Sequence, residues 1–235
     1  MPNTEFGELG EPLEKTQIRV RMAARALGRN DLGHAYGHVS ARLDEDHFLV
    51  CAPKPMGLIT PEDAGTVVSI EGPLPDGVLG EVRCHQQIYK RRNDINGIAR
   101  TFLRNVMTLS TFQRTPRPRI GFASYFSPAP PLWNDPLLLR NDEMAGELAE
   151  KLGDARAIVM RGNGCILTGA TVEESIVMAF YLEEAATTEL AIMSSGQEEH
   201  SLVFSEEQSK SRAVSSGQIF ERMWDYLADG DPEVE

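Results

Sequence analysis

The 235-residue chain is long enough to fold as one domain with a sizeable hydrophobic core. Its formal net charge of −12 at pH 7 argues against nucleic acid or an anionic membrane surface as a partner, because both would require a basic patch. The sequence has no apolar run long enough to span a membrane, no apolar signal segment and only three isolated cysteines. We therefore expect a cytoplasmic protein with reduced thiols.

The first part of the chain is predicted to combine one helix with several short strands. Residues 1–11 are polar and acidic and are predicted to form a flexible N-terminal arm. Thr60-Pro61-Glu62-Asp63 combines an N-cap residue, a proline and two acids, which predicts a helix start. The periodicity of apolar residues predicts a helix over 13–27 and strands over 39–43, 48–51 and 66–70.

A stretch over residues 80–102 joins a predicted helix over 81–91 to a predicted buried strand. Glu81 and His85 are four residues apart, so they share one face of that helix. The strand that follows carries Arg100. A carboxylate, an imidazole and a guanidinium arranged in this way would line a pocket for an anionic substrate. The alternative is a surface helix whose glutamate and histidine are solvated, since such a pair has little specificity by itself.

The second half of the chain is predicted to be mainly helical. Residues 120–140 are rich in aromatic and proline residues and form either a functional or interface loop or a hydrophobic cover over the core. A polar link over 195–210 precedes the last helix, and an acidic tail from Asp229 is expected to fray. Helices are predicted over 106–112, 141–152, 171–194 and 214–227, and strands over 157–160 and 165–167.

The mixture of helices and strands, without a strict βαβ rhythm, predicts an α/β fold with a mixed sheet between helical layers. The sequence contains no dinucleotide-binding G-x-G-x-x-G, no P-loop and no G-x-S-x-G nucleophile elbow. We predict an arm over 1–11, a main domain over 12–195, and a C-terminal helical extension with an acidic tail over 196–235.

Four segments, in this order along the chain, resemble the class II aldolase/adducin family: Gly37-His38-Val39-Ser40-Ala41-Arg42, residues 52–63, residues 80–102 and residues 159–169. Met160-Arg161-Gly162-x-Gly164 and Tyr181-Leu182-Glu183 resemble the family's branch of aromatic-pathway decarboxylases. The resemblance implies a three-layer α/β/α fold with a central mixed, mainly antiparallel sheet. It also implies a homotetramer, since relatives are often fourfold-symmetric.

The resemblance further implies a divalent metal ion held by three histidines, and this chain has other residues at all three positions. Arg100 and Phe102 stand where the family has an H-x-H pair, and Asn163 stands in the family's R-G-H-G turn. Arginine stays protonated, phenylalanine has no donor atom, and asparagine offers only a weak carbonyl oxygen. We therefore expect no metal and no other cofactor. The alternative is a metal site with unusual ligands.

The resulting hypothesis is a metal-independent lyase that acts on a small carboxylated carbonyl or aromatic compound. The reaction would be decarboxylation, retro-aldol cleavage or a related proton-transfer or cyclisation step. Glu81 would be the general acid/base and His85 would assist proton transfer. Arg100 would bind the anionic group of the substrate, and Asn163 would donate a hydrogen bond to a developing oxyanion. The predicted substrate-binding residues are His38, Ser40, Lys54, Arg83 and Tyr125, the last of which would reach a neighbouring subunit's pocket.

The alternative hypothesis is a non-catalytic, adducin-like oligomerising or binding module. Loss of three ligand histidines is what drift in a pseudoenzyme would produce. Against this, Glu81, Arg83 and His85 still follow the family pattern, and a polar arginine would be costly in a collapsed pocket. The two hypotheses differ in one structural expectation. An enzyme requires Glu81, Arg100 and Asn163 to converge on an open cavity, whereas Phe102 would fill that cavity in a binding module.

Overall fold

The computed structural model describes residues 9–234 and centres on one seven-stranded sheet. The strands are β1 (His38–Arg42), β2 (His47–Val50), β3 (Thr66–Ser69), β4 (Gly97–Thr101), β5 (Leu132–Trp133), β6 (Ala157–Met160) and β7 (Cys165–Gly169). Their order across the sheet is β3-β2-β1-β4-β7-β6-β5. All neighbouring strands are antiparallel except β5 and β6, which are parallel. The prediction of a mixed, mainly antiparallel sheet is therefore confirmed.

Seven helices cover the sheet within the described part of the chain: α1 (Leu13–Arg29), α2 (Arg83–Arg91), α3 (Arg104–Thr111), α4 (Asp142–Leu152), α5 (Val172–Ser195), α6 (Glu206–Arg212) and α7 (Ile219–Ala228). One hydrophobic core joins the sheet to α1, α3, α5 and α7, and a second joins its other face to α2 and α4. There are two cores because successive side chains of a strand point to opposite faces of the sheet. In β4, for example, Ile98 packs in the second core and Ala99 in the first. The predicted three-layer α/β/α architecture is confirmed.

The register between β1 and β4 determines which polar side chains face α2. His38 lies opposite Arg100, and Ser40 lies opposite Ile98. Directly opposed residues of antiparallel strands point to the same side of the sheet, and so do residues two apart on one strand. Because Ile98 packs in the core beneath α2, the side chains of His38, Ser40 and Arg100 lie on that face as well. The sheet thus collects them under the helix that carries His85.

Three predictions about helices are wrong. No helix begins at Thr60, where the Asp63 N–H donates to the Thr60 carbonyl oxygen (3.0 Å) and closes a single turn. The Asp63 carboxylate accepts hydrogen bonds from the Thr60 N–H (2.9 Å) and from Lys54 Nζ. The predicted polar link over 195–210 contains most of α6. Its start is a full capping box formed by Ser205 and Gln208, a spacing that the sequence analysis overlooked. The last helix begins at Ile219, later than predicted.

The acidic tail is docked against α1, contrary to the prediction that it frays. Asp231 accepts two hydrogen bonds from Arg25, at 2.8 and 2.7 Å, and a third from Arg29 at 2.9 Å. Glu233 accepts hydrogen bonds from Arg21 and Arg25. The Asp231 side chain is fully buried. The tail is polar because its carboxylates form ion pairs, not because they are solvated. The sequence of the tail alone does not show this, because the partner arginines lie in α1, far away along the chain.

The predicted N-terminal arm lies outside the described residues except for positions 9–11. At its end, Glu11 accepts a hydrogen bond from Arg19 Nε at 3.2 Å. Among residues 9–234, no helix is both long enough and apolar enough to cross a membrane.

Candidate active site

A cavity of about 900 Å³ opens where the start of β1 and the end of β4 meet the turn between β6 and β7. Its walls combine apolar and charged residues from six segments. The lining residues include His38, Lys54, Glu81, Arg83, Phe102 and Asn163. Phe102 forms part of the wall and does not fill the space. Glu81 and Asn163 meet at this open cavity, which favours the enzyme hypothesis over the binding-module hypothesis, whereas Arg100, the third residue expected there, does not line it.

Glu81 is held at the cavity by a 3₁₀ turn, Gly80–Val82, that leads directly into α2. Its Oε2 lies 3.3 Å from Nη2 of Arg100, and its side chain is 23% exposed. Its other carboxylate oxygen, Oε1, is buried and accepts no hydrogen bond from the described residues. A carboxylate that is paired on one side and unpartnered on the other can hold or release a proton towards a bound ligand.

Arg100 lies behind the cavity wall rather than in it. The side chain is fully buried, its Cζ is 4.4 Å from the centre of the Phe102 ring, and Nη1 donates a hydrogen bond to the carbonyl oxygen of Thr101 (3.1 Å). Gly164 makes room for it, because a Cβ at that position would lie 2.7 Å from Nη1. The Arg100 guanidinium therefore does not line the cavity. Its positive charge acts on the cavity from behind Glu81 and the Phe102 ring.

Four buried side chains form a continuous hydrogen-bonded chain that ends at the cavity wall. Nδ1 of His38 lies 2.9 Å from Nε2 of His85, and Nδ1 of His85 lies 2.6 Å from Oγ of Ser40. Oγ of Ser40 is 2.9 Å from the hydroxyl of Tyr89, which also donates to the Ser40 carbonyl oxygen at 3.2 Å. His38 lines the cavity, whereas His85 and Ser40 do not, and both are wholly buried. We name this set the histidine chain.

Both imidazoles of the histidine chain are held neutral. Burial and the Arg100 charge lower the pKa of His85 to about 3. Burial, His85 and Arg100 hold the pKa of His38 well below its usual range. Burial raises the pKa of the Tyr89 phenol above its usual range. The physical cause is common to all three, because a buried group is disfavoured in its charged form.

Two of the predicted substrate-binding cations lie on the cavity wall, and each is already paired. Lys54 forms an ion pair with Asp63, and Arg83 pairs with Asp142 at 2.7 Å. Both pairs have one largely exposed member, so solvent screens them and the attraction within each pair is weak. A bound anion can therefore compete for these cations.

Asn163 is presented by the tight turn between β6 and β7. Gly162 and Gly164 on either side of it have positive φ angles of 66° and 76°, and the Asn163 N–H donates to the Met160 carbonyl oxygen (2.9 Å). Its side-chain Nδ2 is buried and donates to no other described residue. Asn163 lines the cavity, so an unpartnered donor lies in the residue that was predicted to contact an oxyanion.

Tyr125 is not brought to this cavity. It lies in a 3₁₀ helix, Gly121–Phe126, where its ring stacks on Tyr181 at 5.4 Å and its hydroxyl donates to the Val214 carbonyl oxygen (2.7 Å). It lines a separate cavity of about 330 Å³. Within one chain, Tyr125 therefore has the role of covering the core, and a contact with a neighbouring subunit's pocket stays a prediction.

At the three positions where the family resemblance implies histidine ligands, the side chains present do not fit a divalent cation. The Arg100 guanidinium carries a positive charge and donates to Thr101, Phe102 has no donor atom, and Asn163 offers only an amide oxygen. In the part of the chain that the structure describes, no three His, Cys, Asp or Glu side chains are grouped so as to hold a metal ion.

Tyr89, the inner end of the histidine chain, was not among the predicted site residues. His85 and Tyr89 are four residues apart in α2, the same spacing that the sequence shows between Glu81 and His85. The spacing alone was available in the sequence. The contact with Ser40 was not, because it depends on how α2 packs over β1.

Comparison with known proteins identifies relatives of the whole fold. The family model described as "Class II Aldolase and Adducin N-terminal domain" matches residues 19–190. The 3,4-dihydroxyphthalate decarboxylase of Arthrobacter keyseri is 25% identical over 210 residues, which cover 81% of this chain and 85% of that protein. The enzyme of the same name from Terrabacter sp. (strain DBF63) is 27% identical, with 74% and 77% covered.

Solved structures of similar proteins have the same fold as this chain. An aldolase II superfamily protein from Pseudomonas syringae superposes with a TM-score of 0.77 at 25% identity, covering 94% of this chain and 93% of the other. L-fuculose 1-phosphate aldolase from Glaciozyma antarctica PI12 superposes with a TM-score of 0.76 at 18% identity, covering 94% of both chains.

Proposed function

Because this chain belongs to the class II aldolase and adducin family, we propose that it is a lyase that decarboxylates a small hydroxylated aromatic acid without a metal ion. The observation that carries the proposal is the pairing of Glu81 with buried Arg100 beside an open cavity. Curated relatives named as 3,4-dihydroxyphthalate decarboxylases favour decarboxylation over retro-aldol cleavage. The 18% identical fuculose phosphate aldolase supports the fold alone.

The cavity suits an aromatic anion. Its wall is mainly apolar, with Phe102 on one side, so a flat ring gains by leaving water there. Lys54 and Arg83 on the wall attract carboxylates. Arg100 adds a positive charge that is held in a buried, low-dielectric position, where it acts more strongly than an exposed cation. We assign Arg100 the role of stabilising negative charge on the substrate and on Glu81.

Glu81 is the group we assign to proton transfer. Decarboxylation breaks the bond between the ring and the carboxylate, releases carbon dioxide and leaves the electron pair on the ring carbon. That carbon must then receive one proton. Glu81 in its protonated form would donate it and regain one from solvent, to which its side chain is 23% exposed. Asn163 Nδ2, a buried donor in a residue that lines the cavity, would donate a hydrogen bond to a negatively charged oxygen of the substrate.

The experiment is a decarboxylation assay on the full chain with 3,4-dihydroxyphthalate and related aromatic acids, with elemental analysis of the same preparation. We expect carbon dioxide release that withstands a chelator, and a loss of about 10²- to 10⁴-fold in kcat for Glu81→Gln. Glu147→Gln is the matched control, because Glu147 is an exposed residue of α4 outside the cavity. Activity that requires stoichiometric zinc, manganese or iron would overturn the metal-independent mechanism.

A further inference from the structure

The histidine chain contains four contacts, and the number of protons available restricts how these contacts are made. The Ser40 carbonyl oxygen can only accept, so the contact with the Tyr89 hydroxyl must use the tyrosine proton. The remaining three contacts join Tyr89 to Ser40 Oγ, Ser40 Oγ to His85 Nδ1, and His85 Nε2 to His38 Nδ1. Each of these contacts requires one proton between its two atoms.

Only one arrangement of protons makes all four contacts hydrogen bonds when both rings are neutral. Because the tyrosine proton is used on the carbonyl oxygen, Ser40 Oγ must donate to the Tyr89 oxygen. His85 must then donate from Nδ1 to Ser40 Oγ, and His38 must donate from Nδ1 to Nε2 of His85. In the opposite arrangement Ser40 donates to His85, and the single tyrosine proton has to serve two acceptors. That arrangement leaves one buried contact unsatisfied, which is costly.

We propose that His38 presents an unprotonated Nε2 to the cavity and accepts a hydrogen bond there from a hydroxyl group of the substrate. His85, Ser40 and Tyr89 are positioning residues that fix this tautomer. Nε2 of His38 is buried and has no hydrogen-bond partner among residues 9–234, so the structure leaves it in need of a donor. The identity of the ligand rests on the proposed function, whereas the position of the protons does not.

The lone pair of a neutral imidazole selects the chemical group that it meets. A hydroxyl can donate to it, whereas an ionised carboxylate has only acceptor atoms and is repelled. The substrate carboxylates would instead bind to Lys54 and Arg83, elsewhere on the cavity wall. Burial and the charge of Arg100 keep His38 from becoming an imidazolium, which would invert this preference. The site therefore takes an aromatic acid that carries both a carboxylate and a hydroxyl, with the hydroxyl at His38.

The tautomer is measured directly by nitrogen NMR on protein labelled with ¹⁵N in its histidines. Substituting the three other histidines by asparagine leaves only the His38 and His85 signals. We expect both rings to carry their proton on Nδ1 at neutral pH. Tyr89→Phe removes the acceptor for the Ser40 proton, so both protons should move to Nε2, while Tyr226→Phe, on an exposed tyrosine, should change nothing. Protons on Nε2 in the unmodified chain would overturn the proposal. The three histidines substituted are His34, His47 and His200.

Recognition of the hydroxyl is measured with two ligands that differ in that group alone, 3-hydroxyphthalate and phthalate, by titration calorimetry. We expect the hydroxylated acid to bind about 10- to 100-fold more tightly, and His38→Leu to remove the difference while still binding phthalate. Equal binding of the two acids by the unmodified chain would overturn hydroxyl recognition and leave the proposed function intact. If neither acid binds or is decarboxylated while the protons lie on Nδ1, the proposed function fails together with hydroxyl recognition, and the tautomer assignment stands.

Discussion

Nη2 of Arg100 lies 3.3 Å from Oε2 of Glu81, and this ion pair joins β4 to the 3₁₀ turn that precedes α2. The arginine comes from β4 and is fully buried, whereas the glutamate reaches the cavity. The pair therefore connects a fixed interior charge to the one carboxylate that we assign to proton transfer. An arginine cannot lose its proton in a protein, so its charge is present at every working pH.

Restoring the three histidines that the family resemblance implies should restore a metal site. We predict that Arg100→His/Phe102→His/Asn163→His binds one Zn²⁺ per chain, because three imidazoles and one open position suit that ion. The change also removes the buried cation that opposes a metal. Elemental analysis after dialysis measures the stoichiometry, and the single variant Asn163→His is the control. A triple variant that purifies metal-free and does not bind added zinc would contradict the correspondence of these positions.

Two glycines of one turn provide a matched test of how tightly Arg100 is enclosed. A Cβ on Gly164 would clash with the Thr101 carbonyl oxygen and lie 2.7 Å from Arg100 Nη1, whereas a Cβ on Gly162 would meet no atom within 4 Å. Both residues have positive φ, so alanine costs about 1 kcal/mol in backbone strain at either position. We predict that Gly164→Ala lowers the free energy of unfolding by about 3 kcal/mol and Gly162→Ala by about 1 kcal/mol, measured by urea denaturation. Equal effects would show that Arg100 is not confined by the turn.

The sequence was most informative where one periodicity determines the structure. The strand at β4 and the capped helix α5 follow from apolar spacing and from Thr171, whose side chain accepts a hydrogen bond from the Glu174 N–H. The position of Arg100 behind Phe102 was not predictable, because a strand pattern gives the side of the sheet and not which neighbour covers a side chain. The histidine chain depends on four contacts between α2 and β1, and no local pattern encodes their distances.

The docked tail leads to a prediction about stability. Asp231 is buried against Arg25, and although burial raises its pKa, hydrogen bonds from Arg25 and from the Glu233 N–H lower it overall. Asp231→Asn should lower the free energy of unfolding by about 2 kcal/mol at pH 7, because it removes the buried carboxylate charge that Arg25 and Arg29 share and leaves Glu233 as the carboxylate partner of Arg25. Asp229→Asn, at an exposed position two residues earlier, is the control and should change it by less than about 0.5 kcal/mol. Similar midpoints in urea for the two variants would show that the tail does not hold α1.

The neutral histidines lead to a prediction about pH. The pKa of His85 is about 3 in the folded chain and about 6.5 when unfolded, so below pH 6.5 the unfolded state binds a proton that the folded state does not. Stability from this residue is therefore fully present above pH 6.5 and is lost as the pH falls from 6.5 towards 3. Between pH 6.5 and pH 5 the loss is about 2 kcal/mol for His85. His38, lowered in the same direction beside Arg100, adds to it.

The measurement is the free energy of unfolding in urea at pH 7, 6 and 5. The carboxylates are the same in the unmodified chain and in both variants, so the difference in pH dependence between the proteins isolates the imidazole. We predict that His85→Gln is less stable than the unmodified chain at pH 7 but loses about 2 kcal/mol less on going to pH 5. His200→Gln, at an exposed histidine, should keep the full pH dependence. An unchanged pH dependence of the free energy of unfolding in His85→Gln would mean that the folded protein protonates His85 as readily as the unfolded chain does. The hydrogen-bond arrangement of the histidine chain would then have to be revised.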